Sequence, residues 1–240
     1  MSRRTTMIFA GVMLLGIASR GLAQQPAQQS RPAPARPAAP VVMRPPLFFS
    51  ESWKRLPAPV DDHGAWPASP EGVSNPNLEL KFYGPSGKDL QLVAGNAQGD
   101  VTPLNLWTGM TTFPSAAALR DRNNFVDLSV GLAKIRWVVR TSGFHQARPI
   151  LKLADGTWLV GDRASGPEAD FNASDLSIAE IRWLTLNIER VVAVGTWVEH
   201  PNLSKVDEVG FADLMPGSGH GSGGYLNVGR IEVYGKPVKR

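Results

Sequence analysis

Short alternating segments separated by turn-forming residues fill the chain from Leu47 onward, and this pattern constrains the fold more than any other feature. Strands of this length between Gly, Pro and Asn turns predict an all-β fold, an antiparallel β-sandwich or jelly roll. Long helical periodicity is absent, and only 115–122 (SAAALRDR) is expected to form a helical turn or two. The predicted strands lie in 78–83, 134–140, 150–161, 181–188, 208–214 and 230–234.

The segment ILKLADGTWLVG (150–161) predicts a β-hairpin. Asp155-Gly156 lies between two β-prone runs and is a preferred dipeptide for a two-residue type I′ turn. The pairs expected from this turn are Leu153 with Trp158 and Leu151 with Val160. We expect all four of these side chains on the core face, with Lys152 and Thr157 on the opposite face.

Alternation along these strands also predicts a polar face that binds a ligand. Ile135 and Trp137 must face the core, so Arg136 between them faces away from it, as do Lys134 and Arg140 by the same alternation. The same alternation, continued backwards from Leu151 through Pro149, turns Arg148 outward. The predicted face comprises Lys134, Arg136, Arg140, Gln146 and Arg148, together with Arg182 of the similar segment IAEIRW (178–183) if the two IRW strands are neighbours.

Two histidines are added to this predicted ligand-binding set. His145 lies at the edge of the strand, and His220 lies at the tip of the glycine-rich stretch PGSGHGSGG (216–224). Guanidinium groups match carboxylates and vicinal hydroxyls, so an acidic or hydroxyl-rich ligand is expected. The alternative is a solvated face, on which the arginines pair with Asp162, Glu180 and Glu189.

Motifs for catalysis or cofactor binding are missing from the sequence. The chain has no cysteine, which excludes disulfides, thiolate metal sites and a cysteine nucleophile. A strand is expected after the glycine-rich stretch, where a dinucleotide site needs a helix. Asp207 and Glu208 are adjacent on a strand, so we expect them on opposite faces. No catalytic residue, metal centre or cofactor is predicted, although a structural Ca²⁺ held by loop oxygens stays open.

The N-terminus predicts export. Arg3 and Arg4 precede an apolar run at 7–18 and the small-residue site GLA (21–23), so 1–23 is expected to be a cleaved signal peptide. Residues 24–46 form a Pro/Ala/Gln-rich segment expected to be a disordered linker, and 47–240 is expected to be a single β-sandwich domain. The product would be periplasmic or extracellular, with no stable membrane insertion after cleavage.

The positive net charge of +4 comes from the N-terminal segment. Six of the 25 basic residues and none of the 21 acidic ones lie in 1–46, so 47–240 carries 19 basic and 21 acidic residues. A slightly acidic domain argues against a nucleic-acid partner.

Seven tryptophans are many for 240 residues. Alternation assigns Trp137 and Trp158 to the core, and Trp183 follows from its likeness to Trp137. The four near loops are Trp53, Trp66, Trp107 and Trp197. Exposed aromatic rings beside polar donors suit sugars, whose C–H faces stack on the ring while their hydroxyls take hydrogen bonds.

About half of the chain resembles a known class of secreted bacterial domains. The segments that carry the resemblance are FVDLS (125–129), LAKIRW (132–137), SGFHQARPILKLADGTWLV (142–160), LSKVDEVGF (203–211) and RIEVYGKPVKR (230–240). The last two segments resemble the closing strands of galactose-binding-like jelly-roll carbohydrate-binding modules, and the chain is more weakly similar to the concanavalin-like domains called 3-keto-disaccharide hydrolases. The resemblance implies a jelly roll and a polysaccharide or oligosaccharide partner, and no catalytic residue carries over from it.

Three functions are consistent with these observations. The first is an exported carbohydrate-binding protein that recognises a glycan through its polar, arginine-rich sheet face. The second is a carbohydrate-active enzyme, a glycoside hydrolase or a lyase, including one acting on 3-keto sugars. The third is a structural or interaction domain of the cell envelope.

Overall fold

Antiparallel strands account for nearly all the regular structure of the computed structural model, which describes residues 44–57, 64–94, 103–217 and 223–240. These residues contain sixteen strands and three single turns of 3₁₀ helix, and no α-helix. The strands are β1 (Leu47–Glu51), β2 (Ala65–Pro67), β3 (Leu78–Tyr83), β4 (Gln91–Val93), β5 (Asn105–Trp107), β6 (Ser115–Asp121), β7 (Asn124–Asp127), β8 (Lys134–Gly143), β9 (Arg148–Leu153), β10 (Trp158–Gly161), β11 (Asn172–Ser177), β12 (Trp183–Asn187), β13 (Val192–Val198), β14 (Val206–Asp213), β15 (Gly224–Tyr234) and β16 (Lys236–Lys239). The 3₁₀ turns are Pro70–Gly72, Gly87–Asp89 and Ile178–Glu180.

The strands form two sheets that pack on each other as a sandwich. The seven-stranded sheet has the order β11-β8-β15-β5-β4-β2, with β1 also paired to β15. The nine-stranded sheet has the order β13-β12-β10-β9-β14-β6-β3, with β7 paired to β14 and β16 to β7. Neighbouring strands are antiparallel throughout, so the prediction of an all-β antiparallel sandwich is confirmed.

The core between the sheets follows the predicted alternation of β8. Ile135, Trp137 and Val139 are fully buried, and they share one apolar cluster with Leu151 and Leu159 of the other sheet. The residues between them in β8 therefore point out of the sandwich, as predicted.

A second apolar layer covers the outer face of the nine-stranded sheet. Its buried members are Ala116, Ala118, Ile150, Trp158, Val160, Leu186, Val191 and Ala212. Val191, in the turn between β12 and β13, has a backbone φ of 51°, which is rare for a β-branched residue. It packs directly on Gly84, where an added Cβ would collide with its side chain. The turn at one edge of this sheet thus reaches the strand at the other edge.

The expectation of a helical turn at 115–122 is wrong, because this segment forms β6. Ala117 and Leu119 face the inner core, whereas Ala116 and Ala118 face the second apolar layer. A strand buried on both faces has a continuous apolar run instead of alternation, and its alanines suggest a helix.

The hairpin forms, but its register differs by one residue from the prediction. Leu153 N donates to Thr157 O (2.8 Å), so Ala154-Asp155-Gly156 is a three-residue loop with Gly156 at φ 91°. The observed pairs are Trp158 with Lys152, Leu159 with Leu151 and Val160 with Ile150. Trp158 and Val160 therefore lie in the second apolar layer, on the same face as Lys152, and the core face takes Leu159 instead.

A buried carboxylate anchors the end of β1. Glu51 is 1% exposed and accepts hydrogen bonds from the backbone N–H groups of Ser52, Trp53, Ser74 and Asn75 and from the Ser74 hydroxyl, at 2.7–3.1 Å. The charge is thus solvated by backbone dipoles, and the loop before β3 is held against β1.

Replacing Glu51 with Ala should lower the free energy of unfolding by about 3 kcal/mol or more, because several buried backbone donors would lose their acceptor. Urea unfolding at pH 7 measures this loss. The matched control is Glu71→Ala at an exposed position, which should change the free energy of unfolding by less than about 0.5 kcal/mol. Equal effects of the two substitutions would contradict the anchoring role.

Candidate functional site

The predicted ligand-binding residues do not share one face. Lys134, Arg136 and Arg140 point outward from β8, in the seven-stranded sheet. Arg148 begins β9 and Arg182 directly precedes β12, and both strands belong to the nine-stranded sheet. The two IRW segments are therefore not neighbours. The chain crosses between the sheets at 144–147, so a correct alternation in each strand places the arginines on opposite outer faces.

The residues on the nine-stranded sheet are engaged within the protein. The Arg148 guanidinium donates to the carbonyls of Gly161 and Asp162 (3.3 Å each) and to Gln146 Oε1 (3.1 Å). Arg182 pairs with Asp162 at 3.0 Å and stacks on Trp197 at 4.1 Å. Asp162 is thus the partner that the solvated-face alternative predicted for an arginine.

One of the two predicted histidines is buried, and the other lies outside the described residues. His145 is 2% exposed, and its Nδ1 lies 2.6 Å from Oδ2 of the fully buried Asp213. Thr108 Oγ1 donates to the same carboxylate oxygen (3.1 Å), so the imidazole belongs to a buried network at one end of the sandwich. His220 lies outside the described residues.

The outer face of the seven-stranded sheet carries an aromatic cluster around Arg140. The Arg140 guanidinium carbon lies 5.1 Å from the centre of the Phe171 ring and 5.5 Å from that of Tyr225. Tyr225 in turn makes an edge-to-face contact with Trp107, with ring centres 6.3 Å apart. All four side chains are half-buried, and together they form a partly exposed platform on the outer face of the sheet.

Two asparagines complete this platform. Arg140 Nε donates to Asn227 Oδ1 (3.3 Å), and Asn227 Nδ2 donates to Asn105 Oδ1 (2.6 Å). Both asparagines are buried, so the chain of hydrogen bonds fixes the orientation of the guanidinium. We call Arg140, Phe171, Tyr225, Trp107, Asn227 and Asn105 the Arg140 cluster.

The other end of β8 borders a groove of about 760 Å³. Its walls include Arg44, Leu132, Lys134, Arg136, Asp175 and Tyr234. Lys134 lies over the Tyr234 ring at 4.9 Å, and Asp175 pairs with both Lys134 (2.8 Å) and Arg136 (3.3 Å). A hydrogen bond from the Tyr234 hydroxyl to Glu232 (2.8 Å) raises the pKa of Tyr234. We call this the Tyr234 groove.

The Arg140 cluster and the Tyr234 groove lie on one continuous face. Arg140 lies six positions after Lys134 in β8, which corresponds to about 20 Å of extended strand. Arg136, Arg230 and Glu232 line a smaller hollow of about 290 Å³ between the two ends. This face combines aromatic rings with fixed hydrogen-bond donors and acceptors, which can hold a long, hydroxyl-rich ligand.

A separate polar cluster lies on the outer face of the nine-stranded sheet. The fully buried Glu208 accepts from Lys81 Nζ (2.9 Å), Lys152 Nζ (3.0 Å) and the Tyr83 hydroxyl (2.6 Å). Burial and the hydrogen bond to Glu208 raise the pKa of Tyr83 well above its ordinary value. Tyr83 therefore keeps its proton and serves as a donor, not as a base.

The expectation that Asp207 and Glu208 face opposite sides is wrong. The β14 register shifts between Val206 and Glu208, and both carboxylates approach Lys152 Nζ, at 3.6 and 3.0 Å. A bulge interrupts the alternation and turns consecutive side chains to one face. The pair remains neutralised by surrounding cations, because Arg120 and Arg240 also bind Asp207.

Sequence reasoning missed most of the Arg140 cluster. Trp107 was named only as a loop tryptophan, and Phe171, Tyr225 and Asn227 were not singled out. The strand pattern before Tyr234 contained a usable signal, since Tyr225 and Asn227 alternate with the buried Leu226 and Val228. Their contact with Arg140 depends on the pairing of β15 with β8, which residue spacing does not reveal. Of the other tryptophans, Trp53, Trp66, Trp137, Trp158 and Trp183 are buried and Trp197 is 38% exposed.

Within 44–57, 64–94, 103–217 and 223–240, no group of three or more histidine or carboxylate side chains is placed to hold a metal ion. In the same residues, no helix has the length and apolar character needed to cross a membrane.

Several solved carbohydrate-related domains are similar to this chain in structure. A family 11 carbohydrate-binding module from Clostridium thermocellum, solved with a β-1,3-1,4-mixed-linked tetrasaccharide, has 14% identity and a TM-score of 0.35, over 80% of this chain and 98% of that one. An exo-β-agarase has 10% identity and a TM-score of 0.39, over 69% of this chain and 24% of that one. The Emp47p carbohydrate recognition domain has 8% identity and a TM-score of 0.32, over 74% and 97%.

No protein-family model matches the chain, and no curated protein matches it. The assignment of the sandwich fold therefore rests on the strand pairings of the chain itself.

The charged cluster around Asp207 makes the folding stability of the protein depend on pH. Burial raises the pKa of Asp207, but hydrogen bonds from Arg240 and Arg120 outweigh it and hold that pKa below its ordinary value. A lowered folded-state pKa gives stability that is present above the unfolded pKa and is lost as the pH falls through the folded pKa. Asp207→Asn should therefore reduce stability at pH 7 and flatten its decline below about pH 4. Urea unfolding between pH 7 and pH 2.5 measures both effects.

The matched control for this pH experiment is Asp170→Asn, at an exposed position. It should leave both the stability at pH 7 and the decline in acid close to those of the unmodified protein. An Asp207→Asn profile that runs parallel to the unmodified profile at all pH values would contradict the prediction.

Proposed function

We propose that this protein is a glycan-binding protein whose ligand lies on the outer face of the seven-stranded sheet, along β8. The observation that carries the proposal is the Arg140 cluster, where half-buried aromatic rings surround a fixed guanidinium on an outward face. The Tyr234 groove at the other end of β8 extends the surface over which an oligosaccharide would bind.

The chemistry of this face supports a sugar ligand. Sugar rings have apolar C–H faces that stack on aromatic side chains, and Trp107 and Tyr225 offer such rings at the surface. Sugar hydroxyls both donate and accept hydrogen bonds, and the face supplies guanidinium donors together with the Asp175 and Glu232 carboxylates as acceptors. A rigid sheet holds these groups in place, which lowers the entropic cost of binding.

The proposal includes export and a jelly-roll relationship. The basic N-terminus, the apolar run at 7–18 and the GLA site support a cleaved signal peptide, and the composition of 24–46 supports a linker that holds the domain away from its attachment point. We propose a periplasmic or extracellular location and a galactose-binding-like fold. Residues 1–43 lie outside the described structure, so the sequence alone supports the location.

Binding to an array of neutral and acidic oligosaccharides, followed by titration calorimetry, tests the function. Trp107→Ala and Tyr225→Ala should each weaken the affinity for the bound glycan by at least about tenfold, because each removes an aromatic anchor. Trp197→Ala is the matched control, since Trp197 is an exposed tryptophan on the nine-stranded sheet. It should leave the affinity within a factor of about two.

Two results would overturn this proposal. Absence of binding to every glycan would reject the function. Loss of affinity in Trp197→Ala, with normal affinity in Trp107→Ala and Tyr225→Ala, would keep a glycan-binding function but reject this face.

A further inference from the structure

We infer that the glycan carries an anionic group, a carboxylate or a sulfate ester, and that Arg140 binds it. This inference rests on the proposed function and names the chemical class of its ligand. It depends on how the charge of Arg140 is compensated within the protein.

The neighbouring arginines on the same face have carboxylate partners. Arg136 pairs with Asp175 at 3.3 Å, and Arg230 pairs with Glu232 at 3.5 Å. Among the residues that the structure describes, no carboxylate lies within 4 Å of the Arg140 guanidinium. Arg140 thus presents a half-buried positive charge whose described contacts are aromatic rings and an amide oxygen.

The surroundings of Arg140 hold this charge in one orientation. Phe171, directly before β11, and Tyr225 of β15 approach the guanidinium from either side of β8, and Asn227 Oδ1 accepts from Nε. Aromatic faces stabilise a cation without neutralising it. Among the described residues the Nη groups have no hydrogen-bond partner, and we assign this edge of the guanidinium to the ligand.

An anionic group fits this edge best. A guanidinium edge offers two parallel N–H donors, which match two oxygens of a carboxylate or of a sulfate ester. Such charge-assisted bonds are stronger than bonds from the same donors to hydroxyls, and little side-chain entropy is lost because the arginine is already ordered. Stacking of the sugar ring on Tyr225 or Trp107 would bring a substituent of that ring to the guanidinium.

Matched pairs of glycans test the inference. The probes are uronic-acid oligosaccharides with their carboxyl-reduced forms, and sulfated oligosaccharides with their desulfated forms, titrated into the mature chain at constant ionic strength. We expect one type of charged probe to bind at least about tenfold more tightly than its neutral partner. The type that does so distinguishes a carboxylate from a sulfate.

Arg140→Gln should abolish this preference, so that the charged probe and its neutral partner bind this variant with affinities within about threefold of each other. The matched control is Arg182→Gln, because Arg182 is also stacked on an aromatic ring but is paired with Asp162 on the other sheet. It should keep the full preference for the charged probe. Urea unfolding of both variants confirms that they are folded.

The outcomes separate the inference from the proposed function. Equal binding of charged and neutral probes, with affinity that still depends on Trp107, would overturn the anionic ligand and leave the glycan-binding function standing. A preference for charged probes that survives Arg140→Gln would overturn the role of Arg140. Absence of binding to all glycans would reject both.

Discussion

Burial of the nine-stranded sheet on both faces is the constraint on which the rest of the structure depends. Its inner face packs on the seven-stranded sheet, and its outer face is covered by the second apolar layer, which Val191 closes against Gly84. The middle of this outer face is therefore occupied by the protein's own side chains. The outer face of the seven-stranded sheet carries no such cover in the described residues, and the Arg140 cluster and the Tyr234 groove lie there.

The same constraint explains the composition of the central strands. β6 lies between β3 and β14, and its side chains must fit into apolar layers on both sides. Gly210 on β14 lies so close to Ala117 and Ala118 that an added Cβ would collide with the β6 backbone. The small Ala116 and Ala118 share the outer layer with the larger Ile150 of β9 and Trp158 of β10. Local propensity for helix is overruled by tertiary packing.

The sequence correctly predicted the side-chain orientations that depend on the pattern within a single strand. Alternation placed Ile135 and Trp137 in the core and turned Arg136 and Arg140 outward, and both expectations are confirmed. Alternation failed to predict the facing of side chains where one additional loop residue changes the register of strand pairing. The hairpin at Asp155-Gly156 closes with a loop one residue longer than the preferred turn, and this shift moves Trp158 from the inner core to the outer layer.

Prediction of the candidate site failed for a different reason. Which sheet a strand joins depends on contacts between residues that are far apart in the sequence. Arg140 and Arg148 are eight residues apart, yet the connection at 144–147 places them on opposite outer faces. Phe171 and Tyr225 are far from Arg140 in sequence and meet it only because β11 and β15 flank β8. The spacing of residues along the chain does not determine these pairings. The pattern within a strand determines only which of its side chains share a face.

Two arginines stacked on aromatic rings show why residue type alone does not locate a binding site. Arg182 on Trp197 and Arg140 beside Phe171 are both pairs of an arginine and an aromatic ring, and the sequence predicts ligand binding for both arginines. They differ in their counter-ions, since Asp162 neutralises Arg182 and no described carboxylate neutralises Arg140. A neutralised guanidinium gains little from an anion because it must first give up its partner. The counter-ion, which only the three-dimensional structure reveals, therefore distinguishes the two arginines and is the reason why we assign the proposed ligand to Arg140.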